Sequence, residues 1–189
     1  APPPVRGAGA GYQCTIYFVP RTKTGCVFDQ YVHAVNIRDG SERPNSPVLI
    51  QAGVLGTGAG SVGGVVPVNS FTQNQRPGLA LVNGVVYIGW ASHCDLGPYH
   101  GWIIGYNATS LSQDVVYNLT PTGVNGGIWM GGQAPSADEN GAIYINSGNG
   151  TIGTGSDVHG TTNRSMSFVK LTRTGSTMAA CSSAEPRPM

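Results

Sequence analysis

His93, Asp95 and His100 form the densest group of side chains able to do chemistry, within the run Ser92-His93-Cys94-Asp95-Leu96-Gly97-Pro98-Tyr99-His100. Two imidazoles and a carboxylate in one loop make a donor set for a divalent metal such as Zn, Cu or Ca. An imidazole ligates only when neutral, so metal binding there would weaken as pH falls through about 6.5. The competing reading is structural, with Asp95 capping a turn and both histidines bonding loop carbonyls. Tyr99 and Trp102 are near enough in sequence to wall the loop from solvent, whereas His33 and His159 lack comparable local company.

Three further residues are candidates for holding a small molecule or a glycan: Arg76, Tyr99 and Trp129. Arg76 ends the polar run Gln73-Asn74-Gln75-Arg76 and could clamp an anion bidentately or secure loop carbonyls. Trp129 lies between Gly126-Gly127 and Gly131-Gly132, where missing side chains let a ligand or backbone come close. Trp102 sits in an apolar run and reads as core. Gly58 to Gly64 is Gly-rich but lacks the Gly-Lys-Ser/Thr ending of a phosphate-binding loop. Ser61 and Ser92 are outside any Gly-x-Ser-x-Gly elbow, so a serine hydrolase has no motif.

The elements that would position these residues are short strands. Gly supplies 29 of 189 residues, about twice its average usage, and Gly weakens helices. Charged residues make up only 10%, yet 40% hydrophobic content in β-branched runs is enough for a core, which argues against disorder. Three runs centre on a tyrosine: Thr15-Ile16-Tyr17-Phe18-Val19, Val85-Val86-Tyr87-Ile88-Gly89 and Ala142-Ile143-Tyr144-Ile145-Asn146. Asn83-Gly84 and Asn140-Gly141 precede the last two, and Asn-Gly favours a type I′ hairpin. A second run follows each: Val32 to Asn36, Trp102 to Asn107, and Phe168 to Leu171. Shorter strands are expected at Val48 to Ala52 and Asp114 to Tyr117. Asp138-Glu139-Asn140-Gly141 reads as a hairpin turn.

This internal repetition predicts an all-β chain, a partial β-propeller of two to three four-stranded antiparallel blades. Blade-like repeats are expected at about 12–55, 76–118 and 134–172, inside a domain spanning 12–172. Residues 1–11 read as a flexible Pro/Gly-rich lead-in and 173–189 as a tail. A blade covered on both sides has central strands that run apolar without alternating, as Val85 to Gly89 does. Tyr17, Tyr87 and Tyr144 should then occupy equivalent positions.

The net charge is +1 with no Lys/Arg stripe, so there is no electrostatic footprint for nucleic acid. No apolar run approaches the ~20 residues of a membrane-spanning helix. Of the four cysteines, Cys14, Cys26, Cys94 and Cys181, none forms a CxxC pair. Cys14 and Cys26 flank a turn rich in Thr, Lys and Gly, and either close a disulfide loop or remain thiols.

The segment His33-Ala34-Val35-Asn36-Ile37-Arg38-Asp39-Gly40 resembles the Ala-Leu-Asp-x-x-Thr-Gly signature of quinoprotein-like (pyrroloquinoline quinone type) propeller repeats, without its usual following Trp. The stretch from Gln75-Arg76-Pro77 through Ser92-His93-Cys94-Asp95 to Gly148-Asn149-Gly150 is similar to secreted bacterial proteins with this repeat. The resemblance implies a secreted or periplasmic propeller segment, and pyrroloquinoline quinone enters as a cofactor through it alone. The adjacent cysteines of quinone dehydrogenases are missing, and the blades are too few to close a ring around the cofactor. The expectation is a ligand- or glycan-binding or structural module that self-associates through exposed blade edges. A quinone- or metal-dependent oxidoreductase, or a lactonase-like metal-dependent hydrolase acting at the channel mouth, stays open as the alternative.

Overall fold

A computed structural model describes residues 14–153, 162–174 and 177–182. Fifteen strands run in chain order: β1 (Thr15–Phe18), β2 (Arg21–Thr24), β3 (Val27–Asn36), β4 (Val48–Leu49), β5 (Gly53–Leu55), β6 (Val65–Pro67), β7 (Gln73–Asn74), β8 (Ala80–Val82), β9 (Val85–Ser92), β10 (Trp102–Asn107), β11 (Gln113–Asn118), β12 (Ser136–Ala137), β13 (Ile143–Asn146), β14 (Phe168–Thr174) and β15 (Thr177–Ser182). A single 3-10 turn at Met130–Gly132 is the helical element among the described residues. The protein is therefore all-β, and every named strand pairing is antiparallel.

The strands form three main sheets and one hairpin. In the first sheet β1 and β2 lie end to end along one edge of β3, with β4 on its other edge. The central sheet is a meander, β8-β9-β10-β11, with β7 pairing the far end of β9. The third is another meander, β12-β13-β14-β15, and the separate hairpin is β5-β6.

Local chemistry explains the turns. Asn83 and Gly84 have φ of 48° and 77°, the two positive angles of a type I′ turn, and they join β8 to β9 with no residue to spare. The second Asn-Gly pair behaves differently. Gly141 alone has positive φ, the loop is one residue longer, and the Asp138 carboxylate accepts the backbone N–H of Asn140 and of Ala142. The acid at Asp138 thus converts a two-residue hairpin into a turn closed by its own side chain.

Burial explains why the central sheet reads as unbroken apolar sequence. All eight residues of β9 are buried, because each face of the sheet is covered. Val86, Ile88, Trp90, Trp102, Ile104 and Tyr106 pack toward Val32, Ile50 and Val66. Val85, Tyr87, Ile103 and Val115 pack toward Ile143, Ile145, Val169 and Leu171 on the third sheet. Each such side chain removed from water contributes about 1.5–3 kcal/mol.

The tyrosine-centred runs occupy matching registers. Tyr17 pairs with Ala34, Tyr87 with Gly105 and Tyr144 with Lys170, each time linking the tyrosine strand to the long strand that follows. Two residues earlier, Thr15 faces Asn36 and Val85 faces Asn107. Both asparagines open the same turn. Asn36 N–H donates to Ser41 O and Asn107 N–H to Ser112 O, while Gly40 N–H and Leu111 N–H return to the asparagine carbonyls. Each Asn side chain also accepts the N–H two residues on. The third sheet departs from this pattern, since β14 continues through Thr174 and pairs with β15. Strand pairing therefore extends past Thr172, into the part of the chain expected to be tail. The lead-in at 1–11 lies outside the described residues.

Candidate functional site

The loop from β9 to β10 starts with a tight turn. Cys94 and Asp95 both have positive φ, and Leu96 N–H donates to His93 O at 2.9 Å. Asp95 does not cap this turn. Its carboxylate instead accepts the Tyr99 hydroxyl, and burial together with that carboxylate pushes the Tyr99 phenol well up. His100 is 2% exposed and its ring is fully engaged, Nδ1 with Thr120 Oγ1 and Nε2 with the Ala59 carbonyl, both at 2.8 Å. With a carbonyl at Nε2, that nitrogen carries the proton, and burial lowers the pKa so the ring stays neutral. His93 is half-buried, and burial followed by the Arg21 charge lowers its pKa too. Among the described residues no group of three or more His, Cys, Asp or Glu side chains could hold a metal ion. The loop therefore places His93, Asp95 and His100 near in sequence, but Asp95 serves Tyr99, His100 serves Thr120 and Ala59, and His93 Nε2 is buried with no hydrogen-bond partner among the described residues.

His100 belongs to a seam where loops meet through glycine backbones. Gly58 N–H and Ala59 N–H donate to Pro121 O and Gly123 O, while Gly101 N–H and Leu119 N–H donate to Asn125 O and Gly101 O. A Cβ on Gly101 would lie 2.0 Å from Gly126 O, and one on Gly56 would lie 2.0 Å from Pro121 O. The Gly-rich segment at 58–64 thus packs closely on the 121–123 loop. Gln73 is 1% exposed and binds the seam to the central sheet. Its amide donates to Ala91 O (3.0 Å) and His100 O (2.8 Å) and accepts His100 N–H (2.9 Å). Gln30 does similar work between sheets, donating to Gln73 O and accepting Trp90 Nε1–H, each at 2.8 Å.

Of the expected ligand contacts, Arg76 is exposed between β7 and β8 and makes no hydrogen bond or ion pair among the described residues. Trp129 is half-buried and meets Tyr99 edge to face at 6.2 Å. Gly148 backs onto its indole, for a Cβ there would fall 2.8 Å from both Cδ1 and Nε1. Glycine does permit a close approach, and the approaching group is the chain's own backbone. His33, expected to be isolated, has Nδ1 2.6 Å from Glu42 Oε1 and stacks on Phe18 at 4.8 Å. His159 lies outside the described residues. Cys14, Cys26 and Cys94 are free thiols.

A cleft of about 410 Å³ opens where the β2-β3 hairpin meets the 67–71 loop, lined by Phe28, Asp29, Gln51, Asn69, Ser70 and Phe71 among others. Phe28 and Phe71 rings are 5.1 Å apart and tilted. Arg21 lies 4.8 Å and Lys23 5.4 Å from the Phe28 centroid, and Arg21 also donates to Phe71 O, holding the loop to the hairpin. None of these residues stands out in the sequence. The available signal is the exposed alternation Arg21-Thr22-Lys23-Thr24 ahead of Phe28, whose composition is that of a turn although it forms a strand.

No protein family, curated protein or solved structure matches the chain.

Proposed function

We propose that the chain is a quinoprotein-like propeller segment, acting outside the cytoplasm as a binding module for neutral polyhydroxylated ligands such as glycans. The propeller reading is supported by the shared register and turn bonding around Asn36 and Asn107, since unrelated strands have no reason to repeat them. The resemblant segment 33–40 contains the first of these turns. The observation that carries the binding reading is the Phe28–Phe71 cleft. It sets aromatic faces beside a carboxylate, two amides and a hydroxyl, the mixture that fixes a sugar by stacking and hydrogen bonding. No described cluster offers comparable support to a metal-dependent oxidoreductase or lactonase-like hydrolase.

A glycan array followed by titration calorimetry on the best ligand tests this reading. Phe71→Ala should weaken binding by roughly tenfold, equivalent to about 1.4 kcal/mol. Phe71 is 51% exposed, so the variant should fold normally. Trp129→Ala should bind like the parent. A chain that binds nothing on the array, or a ligand lost on Trp129→Ala but retained by Phe71→Ala, would refute the assignment.

A further inference from the structure

We infer that two copies of this chain associate head to tail, the outer face of the first sheet of one copy seated on the outer face of the third sheet of the other. The inference goes beyond the ligand reading and does not depend on it.

The chain supplies its own template. With Tyr17 and Tyr87 in the same register, Ile16, Phe18, Tyr31, His33 and Val35 stand where Val86, Ile88, Trp102, Ile104 and Tyr106 stand in the central sheet. Those five central residues are buried by the first sheet. Their first-sheet counterparts face away from the molecule, with Ile16 51% and Phe18 41% exposed. The surface that covers such a face is, each time, the tyrosine-bearing side of the preceding sheet. Tyr17 faces the central sheet and Tyr87 the third.

Among the described residues one tyrosine-bearing side stays uncovered, that of the third sheet. Tyr144 stacks on Phe168 there at 5.9 Å, and Phe168 is 48% exposed. Lys170 reaches over the Tyr144 ring at 5.3 Å and is held there by Asp138 at 3.1 Å, so this face presents two aromatic rings beside an ion pair that is already satisfied. A hydroxyl hook marks the first of these two interfaces. Tyr17 Oη donates to Ala108 O at 2.7 Å across the first interface. The carbonyl equivalent to Ala108 is that of Ile37, which is 63% exposed. In the assembly it would receive the Tyr144 hydroxyl of the other copy, now held by Asp138.

Because the two contacting faces differ, the contact is heterologous, and this gives a sharp test. Sedimentation velocity of the intact chain should show mass at least doubling as concentration rises from low to high micromolar. Phe18→Asp and Phe168→Asp each spoil one face, and both side chains are exposed enough to leave folding intact, as circular dichroism would verify. Each variant alone should stay monomeric. Mixed, they should form a 1:1 dimer and nothing larger, because each contributes its one good face. A monomeric parent at every concentration overturns the inference, as does a mixture that fails to pair. So does association that survives Phe168→Asp, which would mean that the first-sheet face pairs with itself or with another surface.

Discussion

Replacing Gln73 by Leu removes the amide that joins the seam to the central sheet while keeping most of its volume. Three hydrogen bonds are lost, two donated to Ala91 O and His100 O and one accepted from His100 N–H. Gln73 is 1% exposed and His100 2%, so water does not replace them. An orphaned buried N–H costs about 1–3 kcal/mol, and carbonyls that keep a second lone pair somewhat less. The added apolar burial of Leu returns about 1 kcal/mol. The net loss should be about 3 kcal/mol. With a urea m-value of about 2 kcal/mol/M for a domain of this size, the unfolding midpoint should fall by about 1.5 M. Gln113→Leu is the control: its amide also makes two hydrogen bonds, to Gln51 O and Tyr106 Oη, but the side chain is exposed. Its loss should stay near 1 kcal/mol or below. Equal midpoint shifts for the two variants would mean that burial of the Gln73 amide does not govern its contribution, and the reasoning would fail.

Two other outcomes follow from the same geometry. Gly101→Ala places a methyl 2.0 Å from the Gly126 carbonyl, a backbone atom that cannot rotate away, so thermal unfolding should show a loss of at least about 3 kcal/mol or no folded protein. Acid should unfold the protein in two stages. Burial lowers the pKa of His100 and His93 in the folded state, so the unfolded chain takes up protons first, and stability falls as pH drops below about 6.5. The carboxylates act in the same direction at lower pH: hydrogen bonds from Tyr144 and Lys170 depress Asp138 to about 2, and bonds from Ser46 and His33 depress Glu42. Their contribution is present above the ordinary carboxylate range and lost as pH falls through it. Urea midpoints measured across pH should lose the first stage in a His93→Gln/His100→Gln variant and keep the second. A first stage that persists in that variant would assign it to other groups.

The sequence made the strands legible wherever apolar burial fixed them, and hid the residues whose role depends on a distant partner. Val85 to Gly89 and Trp102 to Asn107 could be read because a sheet covered on both sides tolerates no polar alternate, and Asn83-Gly84 because a two-residue turn admits few residues. The β2 strand could not be read. Arg21-Thr22-Lys23-Thr24 is exposed at all four positions, so nothing in its pattern distinguishes a strand from a loop; its partner β3 determines the answer. Gln73 and Gln30 were invisible for a related reason. Glutamine carries no periodic signal, and their partners Ala91, His100 and Trp90 lie well away along the chain. His100 shows the converse. Its local company of Asp95 and His93 suggested metal chemistry, yet the groups that hold it, Ala59 and Thr120, come from loops on either side. In a chain stitched by glycine-mediated loop contacts, proximity in sequence is a weak guide to which polar groups meet. The register of the strands, which sets where every loop begins, is the stronger one.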